Sequence, residues 1–207
     1  MRRWAGLALA LAAACGSGRR LSSAVSRPAE RFRVQVETSK GAMVIEVDRS
    51  WAPRAADRFR ELVAAKYYDD TRFFRVVAGR WAQFGINGDP AVAGAWRHAT
   101  IADEDPGPRQ SNLRGTVAFA FAEPGGRSTQ VFINLADNLR LDAMGFAPFG
   151  RVVKGMEVAD ALNSEYGESS GGGIRAGHQD AIYEKGNAWL DEDFPRLDRI
   201  VRAVLEP

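Results

Sequence analysis

From Arg31 onward, apolar and polar residues alternate with period two. Phe32, Val34 and Val36 fall on one strand face, Met43, Ile45 and Val47 on that of the next, and "TSKG" between them suits a hairpin turn. The period then changes. "APRAADRFRELVAAKYY" sets Ala55, Phe59, Leu62 and Val63 in a helical stripe, with Pro53 placed for the first turn. "RFFRVVAGRWAQFG" reads as a strand pair broken at Gly79, and residues 85–114, with no sustained period, as a long surface excursion. Three more apolar strands follow in "GTVAFAFA", "TQVFINLA" and "FAPFGRVV". "GMEVADALNS" gives a second helix, "YGESSGGGIRAGHQD" a glycine-rich loop, and "RIVRAVLE" a last strand. Many short strands with two separated helices predict a mainly β fold: a closed antiparallel β-barrel capped by two α-helices.

Charge divides the chain unevenly. Five of the 28 basic residues and none of the 26 acidic ones fall in residues 1–29, so the remainder is slightly acidic. That remainder has no basic excess for nucleic acid. "MRRWAGLALALAAACGSG" has the basic start, short apolar run and small residues of a secretory signal peptide, and the run is too short to span a bilayer stably. Residues 1–29 are therefore read as a targeting segment and linker, and 30–207 as one domain. Cys15, the only cysteine, permits no internal disulfide. Its place after "LAAA" resembles a bacterial lipoprotein processing site and makes it a candidate for lipidation, although Ala12 stands where that pattern prefers Leu. An ordinary A-x-A cleavage site is the alternative. The expectation is export (periplasmic, secretory or membrane-anchored), with an organellar transit peptide as the rival reading. Membrane contact would come only through a lipid anchor or an uncleaved leader, and a monomer suffices.

Familiar catalytic constellations are missing. "SSGGGIRAG" lacks the Lys-Ser/Thr ending of a phosphate loop. His98 and His178 stand in separate loops without cysteine ligands, so no metal site is expected. No serine sits in a nucleophile elbow, and Asp103, Glu104 and Asp105 read as a solvated cluster. What remains is Arg75 inside "RFFRVVAGRWAQFGINGDP", a cation in an apolar run. Arg75, Trp81, Gln83, Gln130 and Phe132 punctuate strands otherwise made of Val, Ala and Phe. Arg75 either pairs structurally with a carboxylate or serves a groove. One fixed cation, two amides and aromatic walls suit an extended peptide and not hydrolysis, because nucleophile and base are both missing.

These residues carry a resemblance. "FFRVVAGRWAQFGINGD", "GTVAFAFAEPGGRSTQVFINLADNLRLD" and "FAPFGRVVKGMEVADAL" resemble, in order, three sequence blocks of the cyclophilins. The resemblance implies a peptidyl-prolyl cis-trans isomerase that assists protein folding, acts on proline-containing polypeptides and needs no cofactor or metal. It assigns the catalytic arginine to Arg75. Substrate contacts are assigned to Gln83, Trp81, Ala120, Phe121, Gln130, Phe132, Leu141 and Phe146. Departures from the family pattern are Arg80 at an aromatic pocket position, Phe121 at an Asn, Arg140 at a Trp and Phe146 at a His. If Arg80 turns into the pocket, two cations share it; if it turns outward, Trp81 can supply the wall. A non-catalytic proline-peptide-binding module or holdase chaperone on the same fold is the alternative.

Overall fold

In register, Val34 lies opposite Ile45 and Val36 opposite Met43, so the alternation of the first two strands buries one shared face. These strands, β1 (Arg31–Thr38) and β2 (Gly41–Asp48), begin an eight-stranded antiparallel sheet. The others are β3 (Arg75–Val77), β4 (Trp81–Phe84), β5 (Thr116–Phe119), β6 (Val131–Asn134), β7 (Pro148–Lys154) and β8 (Ile200–Leu205). They are ordered β3-β4-β6-β5-β7-β2-β1-β8. The computed structural model describes residues 30–105, 107–167 and 179–207. The expected targeting segment with Cys15, and most of the expected glycine-rich loop, including His178, lie outside the described residues.

The sheet curls but does not close, which corrects the expected closed barrel to an open half-barrel in a mixed α/β fold. Its end strands β3 and β8 share no ladder. A single bridge, Arg72 to Arg199, joins the segments just before them, with hydrogen bonds from Phe73 N to Asp198 O (2.8 Å) and Ile200 N to Thr71 O (2.9 Å). With β3 only three residues long, there is too little extended backbone there to continue the pairing.

Helix α1 (Pro53–Ala64) packs Phe59 onto the sheet, 4.9 Å from the Phe149 ring, and Phe119 completes the contact at 5.3 Å from Phe149. Glu104 stands at its N-terminus: the carboxylate accepts from Ala55 N at 2.9 Å and lies 3.8 Å from the Arg54 guanidinium. Asp103 pairs with buried Arg127. The acidic cluster expected in solvent thus fastens a loop to the domain.

Two helices were expected and five helical segments are found among the described residues. The second expected helix forms only as α4 (Met156–Asp160). The excursion contains α2 (Pro90–Arg97), started by Asp89, whose side chain accepts from Ala91 N, and by Pro90 at its first position. It is not all surface, since Ile86, Ala93 and Asn112 are buried. A short α3 (Arg140–Ala143) precedes β7, and α5 (Asp180–Asp193) precedes β8. Gly186 interrupts α5 with φ 62°, which hides its helical period from the sequence.

That glycine is also what lets α5 dock. A Cβ on Gly186 would fall 2.1 Å from Gly88 O, while Asn187 N donates to the same oxygen at 2.9 Å. Arg72, itself buried, binds Asp191 on α5 at 2.8 Å. A second small core of Phe74, Ile86, Ala93, Ile182, Leu190 and Phe194 fills the space between. Gly186→Ala is therefore expected to lower stability by about 1–3 kcal/mol, read from the urea unfolding midpoint. An unchanged midpoint would mean that α5 is not held by this approach.

Candidate active site

Strand alternation makes the site. Val76, Ala82, Ile133 and Val117 point into the main core. Their neighbours Arg75, Gln83, Phe132 and Ala118 therefore emerge on the opposite face. Register aligns those four: Arg75 lies opposite Gln83, Gln83 opposite Phe132, and Phe132 opposite Ala118. A cation, an amide, an aromatic ring and a small flat residue thus stand in one row across β3, β4, β6 and β5. Trp81, Gln130 and Ala120 are two residues from members of that row, which the same period places on the same face.

All nine residues expected from the sequence line one groove of about 830 Å³: Arg75, Trp81, Gln83, Ala120, Phe121, Gln130, Phe132, Leu141 and Phe146. Trp81, Phe132, Leu141 and Ala118 form a separate apolar cluster, with Ala120 and Phe146 packed against it. Phe146 meets Phe132 edge-on at 5.7 Å and stacks on Phe121 at 4.2 Å. The result is a small apolar pocket beside a polar strip.

The polar strip is a hydrogen-bonded chain. Arg75 Nη1 donates to Gln83 Oε1 at 3.0 Å, Gln83 Nε2 to Gln130 Oε1 at 2.8 Å, and Gln130 Nε2 to the Tyr183 hydroxyl at 3.2 Å. Each amide is fixed at both ends, so neither is free to rotate. The Arg75 guanidinium also lies 4.9 Å from the Trp81 ring centre, on the ring face. Arg80 is exposed at the rim of the groove, its guanidinium 6.0 Å from the same ring centre, and Trp81 stays buried as the pocket wall.

Three features were missed in the sequence. Tyr183 comes from α5, is buried, and has the Arg97 guanidinium 4.3 Å over its ring; Arg97 is ion-paired with Asp180. Burial pushes the Tyr183 phenol above its ordinary value, so it stays protonated at neutral pH. The second is a set of asparagines. Asn134 Nδ2 donates to Asn112 Oδ1 (3.1 Å), Asn112 Nδ2 to Phe146 O (2.8 Å), and Asn138 Nδ2 to Asn134 Oδ1 (2.8 Å) and Arg80 O (2.8 Å). They tie the loop carrying Leu141 and Phe146 to the sheet. The third is Arg127, whose guanidinium lies 4.0 Å over Phe121 and donates to Gly145 O at 2.5 Å. Burial pulls its pKa down from the ordinary arginine value. Most of the partners lie far apart in the sequence, as Gln130 and Tyr183 do, so little local signal marks them.

Comparison with known proteins identifies the family. The family model described as cyclophilin type peptidyl-prolyl cis-trans isomerase/CLD matches residues 33–183. Peptidyl-prolyl cis-trans isomerase A of Dickeya dadantii (strain 3937) is 36% identical over 143 residues, covering 67% of this chain and 74% of that protein. The isomerase cyp18 of Streptomyces antibioticus is 33% identical over 159 residues, covering 71% and 89%. Among solved structures, a Cryptosporidium parvum cyclophilin type peptidyl-prolyl cis-trans isomerase superimposes with a TM-score of 0.61 at 22% identity, covering 86% of this chain and 98% of that one.

Tyr183→Phe removes the anchor of Gln130 while keeping the ring. Titrated with a proline-containing peptide and followed by NMR shifts, it is expected to bind about three- to tenfold more weakly. Unaltered affinity would show that the two glutamines hold their places without it.

Proposed function

The chain belongs to the cyclophilin-type peptidyl-prolyl cis-trans isomerase family, and we infer from its groove how it performs that reaction. The protein accelerates rotation about X–Pro bonds in polypeptides, an activity that assists folding. The uncatalysed rotation is slow because twisting breaks amide resonance, at a barrier of about 18–20 kcal/mol. As the bond twists, the prolyl nitrogen loses conjugation and becomes a hydrogen-bond acceptor. A guanidinium beside it interacts more strongly with the twisted amide than with either planar isomer, and that difference is the catalysis. Arginine suits the role because it stays charged and presents a rigid fork of donors. No proton moves and no covalent intermediate forms.

The observation that supports Arg75 in this role is the register row. Gln83 is its cross-strand neighbour, and Phe132 is the next. A proline ring seated between Phe132, Leu141, Phe146 and Trp81 would bring its nitrogen toward Arg75, and Gln83 and Gln130 would meet the flanking peptide groups. Magnitude requires such help. Shortening tens of seconds to milliseconds takes a barrier reduction of about 5–7 kcal/mol. One charge-assisted hydrogen bond contributes about 1.5–3 kcal/mol. The remainder is assigned to the preorganised amides and the dry ring pocket. The non-catalytic alternative drew on Arg80 and Phe121. Arg80 stands exposed at the rim and leaves the Trp81 wall in place, and Phe121 is stacked on Phe146 as part of the wall.

Arg75→Ala is expected to reduce kcat/KM on an X–Pro peptide about 10- to 100-fold, with peptide affinity within a few fold of the parent. Undiminished kcat/KM would remove Arg75 from the mechanism. We propose further that the protein works as an exported monomer, with Cys15 as its lipid anchor. Intact mass of the protein from its native host would show a lipid on Cys15 as the new N-terminus; an unmodified chain cut elsewhere would refute the anchor.

A further inference from the structure

The groove is electrically lopsided. At one end Arg97 is neutralised by Asp180, and Glu123 lines the wall nearby with Thr100 and Gly126. At the other, Arg80 and Arg140 are both exposed and both line the groove. Asn138 holds them to one rim: its amide donates to Arg80 O at 2.8 Å, Leu135 N donates to the same oxygen at 2.9 Å, and Arg140 opens α3 two residues later. Neither has a carboxylate partner among the described residues. Many exposed arginines elsewhere on the surface do, as Arg33 has Glu46, Arg114 has Asp160 and Arg202 has Glu37.

We propose that the groove selects X–Pro segments carrying a carboxylate side chain close to the proline, on the side lined by Arg80 and Arg140. This rests on the isomerase reading above. A peptide whose proline sits against Trp81 and Leu141 runs out of the pocket across this rim. Arg80 is held beside that wall, 6.0 Å from the Trp81 ring centre. Both guanidiniums add positive charge along this rim, while Glu123 at the far end repels an acidic residue there. Complementary charge of this kind raises the encounter rate and fixes the direction in which the peptide lies.

The test is a set of X–Pro peptides with Glu, Gln or Lys at each of the two positions before and after the proline. Affinity is measured by NMR titration and turnover by cis/trans exchange, on the parent and on the Arg80→Gln, Arg140→Gln double variant. On one side of the proline, Glu is expected to bind about three- to tenfold more tightly than Gln at low salt, and Lys more weakly. The ratio of Glu to Gln should approach one in the double variant, and also as salt rises from about 0.05 to 0.5 M. Equal affinity for Glu and Gln at every position would overturn the proposal, as would a Glu preference that survives in the double variant. Were no peptide turned over while the preference in affinity persisted, the isomerase reading would fall and the acidic preference would stand.

Discussion

The site depends on a cation placed on the back of a strand whose front belongs to the core. Val76 is buried in the main cluster, and Arg75 beside it must face the other way. A slip of one residue in β3 would bury the guanidinium among Phe and Val side chains, where its charge would be very costly. The hydrophobic pattern therefore fixes Arg75 opposite Gln83, and β4 against β6 fixes Gln83 opposite Phe132. Cation, amide and ring floor inherit their spacing from the sheet.

Rigidity comes from parts of the chain outside the strand row. Helix α5 seats Tyr183 at the end of the amide chain and is itself held through Gly186, Asn187 and the Arg72–Asp191 pair. The buried amides of Asn112 and Asn134 fasten the opposite wall. The groove is thus clamped between two supports, so its dipoles need little reorganisation when a peptide twists.

Much of this was legible in the sequence because it is written in short periods. The strands, α1 and all nine groove residues follow from alternation and from three ordered blocks that resemble one family. The open sheet was not legible, since closure depends on whether β3 and β8 meet, which neither strand's pattern records. Helix α5 escaped because Gly186 breaks its period next to a glycine-rich stretch, and α2 because Gly94 and the surrounding turn residues mask eight helical positions. Tyr183 followed α5 into obscurity, for its value lies in a bond to a residue 53 positions away. Whether Arg80 turned in or out was likewise a matter of tertiary packing.

This groove rotates the X–Pro bond and does not merely hold it. Two-dimensional NMR exchange on an X–Pro peptide with a trace of the protein tests it directly. Exchange peaks between cis and trans signals within about a second, where the free peptide needs tens of seconds, are the result expected. Peptide signals that shift on binding but show no exchange would contradict it.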